Sequence, residues 1–224
     1  TGGIYIVRPS GENLTRLSEE WATPIWSPDG EKLAFDWDGI YVMDRDGASK
    51  TQLLPISEFS EICPYLSWSP DSTKLLCASP RSGNWDVYAI NADGSGKTRL
   101  TRSMFRDLTP SWSPDGSRIA FASDRSVPRD IYVMNADGSG VVNITQNGGN
   151  EYSEDPDWSP TGQQISFGGG WGTLEVVNAD GSDRRTLVDT TDCRIGERDW
   201  SPDGQWIVFS CTYGGDVAYA SWLY

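Results

Sequence analysis

Apolar residues in this chain fall in short alternating runs. Leu33 and Phe35, Leu75 and Cys77, Ile119 and Phe121, Ile165 and Phe167, and Ile207 and Phe209 are each spaced by two. Period two puts both members of a pair on one buried face of a strand. Each pair lies seven and nine residues after a Trp that opens a Trp-Ser-Pro triplet: Trp26, Trp68, Trp112, Trp158 and Trp200. These Trp residues are 42, 44, 46 and 42 positions apart, within the roughly 40–50 residue period of four-stranded propeller blades.

Each repeat therefore predicts four strands. Strand A is short and ends at the Trp, as in Thr109-Pro110-Ser111-Trp112, and Ser113-Pro114-Asp115-Gly116 then turns the chain. Pro fixes φ at the second turn position and Gly tolerates the positive φ that closes it. Strand B carries the apolar pair. Strand C reads Ile40–Met43, Val87–Ile90, Ile131–Met134 or Leu174–Val177, and an Asp-Gly turn leads to strand D. The Asp-Gly segments resemble a calcium loop only faintly, because the further oxygen ligands of an EF-hand are missing; hairpin chemistry accounts for them.

One such sheet cannot bury both of its faces, whereas stacking sheets around an axis can, with only short protected edges left. The expectation is an all-β, five-bladed propeller of four antiparallel strands per blade, a single domain over 1–224. A C–D pair at Ile4–Val7 and Leu14–Leu17 would close the ring against the A–B pair around Trp200, in one sheet of residues 4–17 and 197–211. The alternative is an incomplete six-bladed ring. Residues 216–220 resemble one more strand C, so 216–224 form an extra strand or a tail through which the chain could self-associate.

The stretch from Ser111-Trp112-Ser113-Pro114-Asp115-Gly116 to Asn135-Ala136-Asp137-Gly138 resembles the WD40-like repeat of TolB-type propellers. That repeat also occurs in the propeller domains of tricorn and prolyl-oligopeptidase-like proteases. The resemblance covers nearly the whole chain and implies the fold; the repeated residues are structural and imply little about function. TolB-type proteins are expected to have six blades and a separate N-terminal α/β domain, and five repeats depart from that pattern.

Composition narrows the function. The formal net charge is −14, which argues against nucleic acid, since phosphate binding needs a basic face. Histidine is absent. The chain thus lacks the commonest general base, the Ser-His-Asp arrangement and the usual zinc ligand, and a non-enzymatic role is expected. No apolar run approaches the length of a membrane span.

Cys63 and Cys77 lie at −5 and +9 from Trp68, and Cys193 and Cys211 at −7 and +11 from Trp200. Opposed residues of a hairpin have a constant index sum, and both pairs sum to +4. Disulfides Cys63–Cys77 and Cys193–Cys211 are predicted, and with them a periplasmic or extracellular location.

In such a sheet the A–B and C–D turns share one end and the B–C and D–A connections the other. The first set is uniform here and the second varies, the usual mark of a working surface. The variable end carries Trp21, Trp37, Trp85, Trp171 and Tyr152 among acids that include Glu151 and Glu154. Rings beside carboxylates suit a protein, a peptide with basic side chains or a glycan; packing of the rings between blades is the competing reading. Strand A turns acidic in the last two repeats, with Asp155, Asp157, Glu197 and Asp199. These could hold a Ca2+ ion, the one cofactor considered, or be neutralised by Arg194 and Arg198. Sequons at Asn13 and Asn143 are candidate glycan sites. The leading function is a non-catalytic extracytoplasmic binding or scaffold module. A glycosidase-like or peptidase-associated propeller enzyme and a subunit of a surface or filament assembly are the alternatives.

Overall fold

The computed structural model describes residues 2–55, 65–80, 82–146, 152–169 and 172–212, which contain strands and no helix. Strands β1 (Ile4–Ile6) and β2 (Thr15–Ser18) form a two-stranded sheet. The first four-stranded sheet comprises β3 (Ile25–Trp26), β4 (Lys32–Asp36), β5 (Gly39–Asp44) and β6 (Thr51–Pro55). The second comprises β7 (Ser67–Trp68), β8 (Lys74–Ser79), β9 (Asp86–Asn91) and β10 (Thr98–Arg99). The third comprises β11 (Asp107–Trp112), β12 (Arg118–Ser123), β13 (Asp130–Asn135) and β14 (Val142–Asn143). The fourth comprises β15 (Ser153–Trp158), β16 (Gln164–Gly169), β17 (Thr173–Asn178) and β18 (Arg185–Asp189). Among the described residues a last pair, β19 (Arg194–Trp200) and β20 (Ile207–Thr212), forms a two-stranded sheet. All pairings are antiparallel. The chain divides into two compact units, Thr1–Met104 and Phe105–Tyr224.

The repeat sets the register. Each Trp faces the residue seven positions on: Trp26 and Leu33, Trp68 and Leu75, Trp112 and Ile119, Trp158 and Ile165, Trp200 and Ile207. The connecting turn is a closed hydrogen-bond ring. In the third sheet Ser113 Oγ donates to Asp115 Oδ1 at 2.6 Å and accepts the Arg118 N–H at 2.9 Å, while Asp115 Oδ1 accepts the Ser117 N–H at 3.0 Å. The Ser113 bond and these neighbours hold the Asp115 carboxyl down to about 2. Gly116 takes φ 69° there, a left-handed value that favours glycine. The same ring recurs at Ser27, Ser69 and Ser201, and at Ser159 with Thr161 in place of the acid. In the Asp-Gly turns Asp93, Asp137 and Asp180 each accept the N–H of the Ser two residues on.

Successive sheets within a unit share a core. Ala34, Ile40, Val42, Leu53 and Leu54 pack with Trp68, Leu75, Cys77, Tyr88 and Ile90. In the second unit Ala120, Ala122, Ile131, Val133 and Ile144 pack with Trp158, Ile165, Phe167 and Val177. Each large side chain buried this way contributes about 1.5–3 kcal/mol. The repeat Trp also ties neighbours together. Trp68 Nε1 donates to Ile25 O at 3.4 Å, Trp158 Nε1 to Ser111 O at 3.2 Å and Trp200 Nε1 to Asp157 O at 3.3 Å. A β1–β2 sheet offers no such strand, and Trp26 is 49% exposed.

Three expectations need correction or restriction. The described strands do not form a closing sheet of residues 4–17 and 197–211, because β1 pairs with β2 and β20 with β19. The bridge Cys193–Cys211 forms, with Cα atoms 5.5 Å apart, but not between opposed residues. Cys211 faces Ile195, and the register shifts between Ile195 and Arg198, so the index sum is not constant along the hairpin and the bond runs diagonally. Cys77 is buried and has no sulfur partner among the described residues; Cys63, the partner expected for it, lies outside them, as does the segment 216–224.

Candidate functional site

The first unit places three of the predicted rings away from its Ser-Pro turns. Trp37 lies in the β4–β5 connection, Trp85 just before β9, and Trp21 in the segment leading to β3. Since β4 and β8 start at the Ser-Pro turn, their far ends carry Trp37 and Trp85. Trp21 is 72% and Trp37 45% exposed, while Trp85 is half-buried. Trp21 rests on Gly2, where any Cβ would collide with the indole. Trp171 lies outside the described residues.

The acids beside these rings are engaged internally, which sequence reading did not foresee. Glu20 pairs with Lys50, whose ammonium sits 5.8 Å from the Phe35 ring centre and 5.0 Å from that of Tyr41. The Lys50 bond holds the Glu20 carboxyl below its ordinary value. The Tyr41 hydroxyl donates to Asp38 Oδ1 at 2.5 Å; burial, then that bond and the Asp38 charge, push Tyr41 up to about 12. Burial raises Asp36. The rings, rather than the carboxylates, are the groups left to a ligand. Phe35, one residue before the end of β4, and Lys50, immediately before β6, supply this packing.

In the second unit Tyr152 is 55% exposed beside Glu154. Glu154 accepts Arg129 Nη1 at 2.7 Å, and Arg129 Nε donates to Asp124 at 2.7 Å, which also accepts Arg106 Nε at 2.6 Å. Glu151 lies outside the described residues. Exposed Phe105 and Val127 flank this chain of ion pairs.

The acidic inner strands are built around Arg198. Its Nη2 donates to Glu154 O at 2.8 Å and to Asp155 O. Both carbonyls sit at a bulge where the β15 register shifts and Asp155 takes φ 53°. Solvent reaches Asp155, yet the protein around it desolvates the carboxyl and raises it, against the pull of Arg198. Burial, then the Asp199 charge, push Asp157 up to about 6 against Arg198. Among the described residues no three His, Cys, Asp or Glu side chains converge as metal ligands. The Arg198 guanidinium stands near Asp155, Asp157 and Glu154.

The sequons also divide. Asn13 is exposed. Asn143 Nδ2, the atom a glycan would need, donates to Asp130 at 2.7 Å, Ser126 at 3.2 Å and Tyr132 at 3.3 Å. The folded chain does not present it.

Comparison with known proteins gives the same architecture. The sequence profile of a family described as the TolB beta propeller domain matches residues 13–221. The chain is 28% identical over 95 residues to the Tol-Pal system protein TolB of Ruthia magnifica subsp. Calyptogena magnifica, covering 40% of this chain and 22% of that protein. It is 36% identical over 107 residues to the Protein TolB homolog of Chlorobaculum tepidum, covering 44% and 24%. The aligned part is thus less than a quarter of either relative. Among solved structures, TolB from Acinetobacter baumannii superposes with a TM-score of 0.71 at 22% identity, over 94% of this chain and 54% of that one. Oligogalacturonate lyase from Vibrio parahaemolyticus gives 0.72 at 14% identity, over 91% and 62%. At such identities the likeness is one of fold.

Proposed function

The chain belongs to the TolB β-propeller domain family, and on that premise we propose that it is a non-catalytic, extracytoplasmic binding module. Its partner is a protein component of a Tol-Pal system, the assembly named for its relative, and its compartment is the periplasm, which suits the Cys193–Cys211 bridge. The observation that carries the reading is the exposure of Trp21 and Trp37 at the variable end, 72% and 45%. Large rings with two side-chain torsions supply contact area at low entropic cost and dominate binding energy at protein interfaces. Trp85 in the same unit, and Tyr152 and Glu154 in the second, extend the proposal. The repeat residues at the other end are spent on turn hydrogen bonds.

Calorimetric titration with the purified Tol and Pal proteins of the source organism tests this. Binding that weakens tenfold or more in Trp21→Ala or Trp37→Ala, with unchanged thermal unfolding, is expected. Unaltered binding in both variants would overturn the assigned surface. Absence of binding, together with turnover of oligogalacturonate, would favour the enzyme reading suggested only by fold.

A further inference from the structure

The second unit contains an arginine seat that is filled, and the corresponding turns of the first unit border an open cleft. In the filled case Arg118, the first residue of β12, reaches from the third sheet to the turns of the fourth. Its Nη1 meets Ala179 O at 3.5 Å and its Nη2 meets Gly162 O at 3.2 Å, with Cζ 4.8 Å from the Trp158 ring centre. A planar fork that donates to two carbonyls while lying on an aromatic face is what distinguishes arginine from lysine.

Lys32 holds the corresponding place at the start of β4, six residues after its Trp. It does not reach across. Its ammonium turns back to Asp44 Oδ1 at 2.9 Å. The third sheet has neutral Asn135 where the first has Asp44, so Arg118 meets no such acid on its own sheet. The receiving turns are built alike in both units. The Ala92 N–H donates to Thr73 O at 2.8 Å as Ala179 does to Gln163 O at 2.9 Å. Ser72 donates to Ser69 O at 2.9 Å as Gly162 does to Ser159 O at 2.8 Å, with φ of 59° and 68°. Among the described residues nothing donates to the carbonyls of Ser72 or Ala92. Between these sheets of the first unit lies an open cleft of about 610 Å³ whose lining includes Lys32, Val42, Thr73, Asn91, Ala92 and Asp93.

We propose that this cleft between the first and second sheets binds an arginine side chain of a protein partner, with Ala92 O accepting its guanidinium as Ala179 O accepts that of Arg118. Lys32 is neutralised by Asp44, and the Asp93 carboxylate leaves the cleft favourable to a cation. The net charge of −14 draws cations toward the chain generally; the Ala92 carbonyl beside Asp93 makes this position selective. Trp68 lies outside the cleft lining, so the hydrogen bond and the Asp93 charge rather than stacking carry recognition. The site lies at the Ser-Pro-turn end of the sheets, away from Trp37 and Trp85, and stands or falls independently of the function proposed above.

The test is an amide-resolved NMR titration of the full chain with N-acetyl-arginine methylamide. Saturable shifts at Thr73, Ala92 and Asp93 are expected, absent with the neutral citrulline analogue and at least threefold weaker with the lysine analogue. Lys32→Arg with Asp44→Asn copies the Arg118 and Asn135 pair and should fill the seat from within, removing the response. Arg118→Ala should open the second seat and add shifts at Gln163 and Asp180. Equal response to citrulline, shifts without saturation, or a response that survives in the Lys32→Arg, Asp44→Asn protein overturns the proposal. Should either variant fail to fold, the arginine-to-citrulline contrast in the unaltered protein decides alone.

Discussion

The third sheet and the β19–β20 pair carry the same repeat and bury it very differently. Ile119, Ala120 and Phe121 are wholly buried, whereas their counterparts Ile207 and Phe209 are half-buried and Val208 is 68% exposed. The strand pairing at the Trp is the same in both, and so is the Ser-Pro turn. What differs is the neighbourhood. β12 has β13 beside it and the fourth sheet packed on Ala120 and Ala122; among the described residues β20 pairs with β19 alone. Periodicity therefore encodes which face is apolar, and neighbouring strands decide whether that face leaves water. The pair has instead a covalent staple, Cys193–Cys211.

The largest expected effect is in the buried member. Phe121→Ala should cost about 3–5 kcal/mol, the range for a large ring removed from a core, and Phe209→Ala less than half as much. Urea unfolding of the two variants compares them directly, and equal losses would break the contrast. Next comes the staple. Its 18-residue separation predicts that removing both cysteines costs β19–β20 roughly 3 kcal/mol. Hydrogen exchange should show that loss in residues 194–212 and leave β12 and β13 protected.

The third effect has the opposite sign. Asp157 is raised to about 6 in the folded chain from an ordinary 3.8, so the fold holds its proton more tightly than the unfolded chain does. The stability this gives is present below about pH 4 and is lost as pH rises through about 6. Asp157→Asn should accordingly stabilise the protein at pH 7 by on the order of 1–3 kcal/mol, with the gain vanishing near pH 4. Thermal unfolding at both pH values checks it, and a pH-independent gain would show that the Asp199 charge and burial are not its source. The smallest effect is Val208→Thr, expected within about 0.5 kcal/mol of the parent because the side chain is already in water. A loss of 1 kcal/mol or more would mean that something covers β20 in solution.

Much of the fold was legible because its determinants are local and repeated. The Trp-to-apolar offset of seven, the Ser-Pro-Asp-Gly turn and the Asp-Gly hairpins recur in sequence because each is satisfied by atoms within a few residues. The candidate site was legible in part. Loop position told where Trp21 and Trp37 lie, but not that Lys50 occupies Glu20, 30 residues away, or that Tyr41 turns its hydroxyl to Asp38 three residues before it. The Cys193–Cys211 bond is diagonal because Cys211 faces Ile195 and not Cys193; equal index sums in two cysteine pairs do not make either pair directly opposed.

The sequence by itself determined the strand order, the pairing register at each Trp, the buried face of each strand and the turn chemistry, all of which depend on contacts over short separations. Tertiary structure alone decided whether a face is covered, whether an acid is paired, and whether a basic side chain crosses to the next sheet or folds back. Arg118 and Lys32 show why. They occupy one position of the repeat, and the choice between reaching across and turning back rests with the residue at 135 or 44, brought alongside only when strand C pairs with strand B.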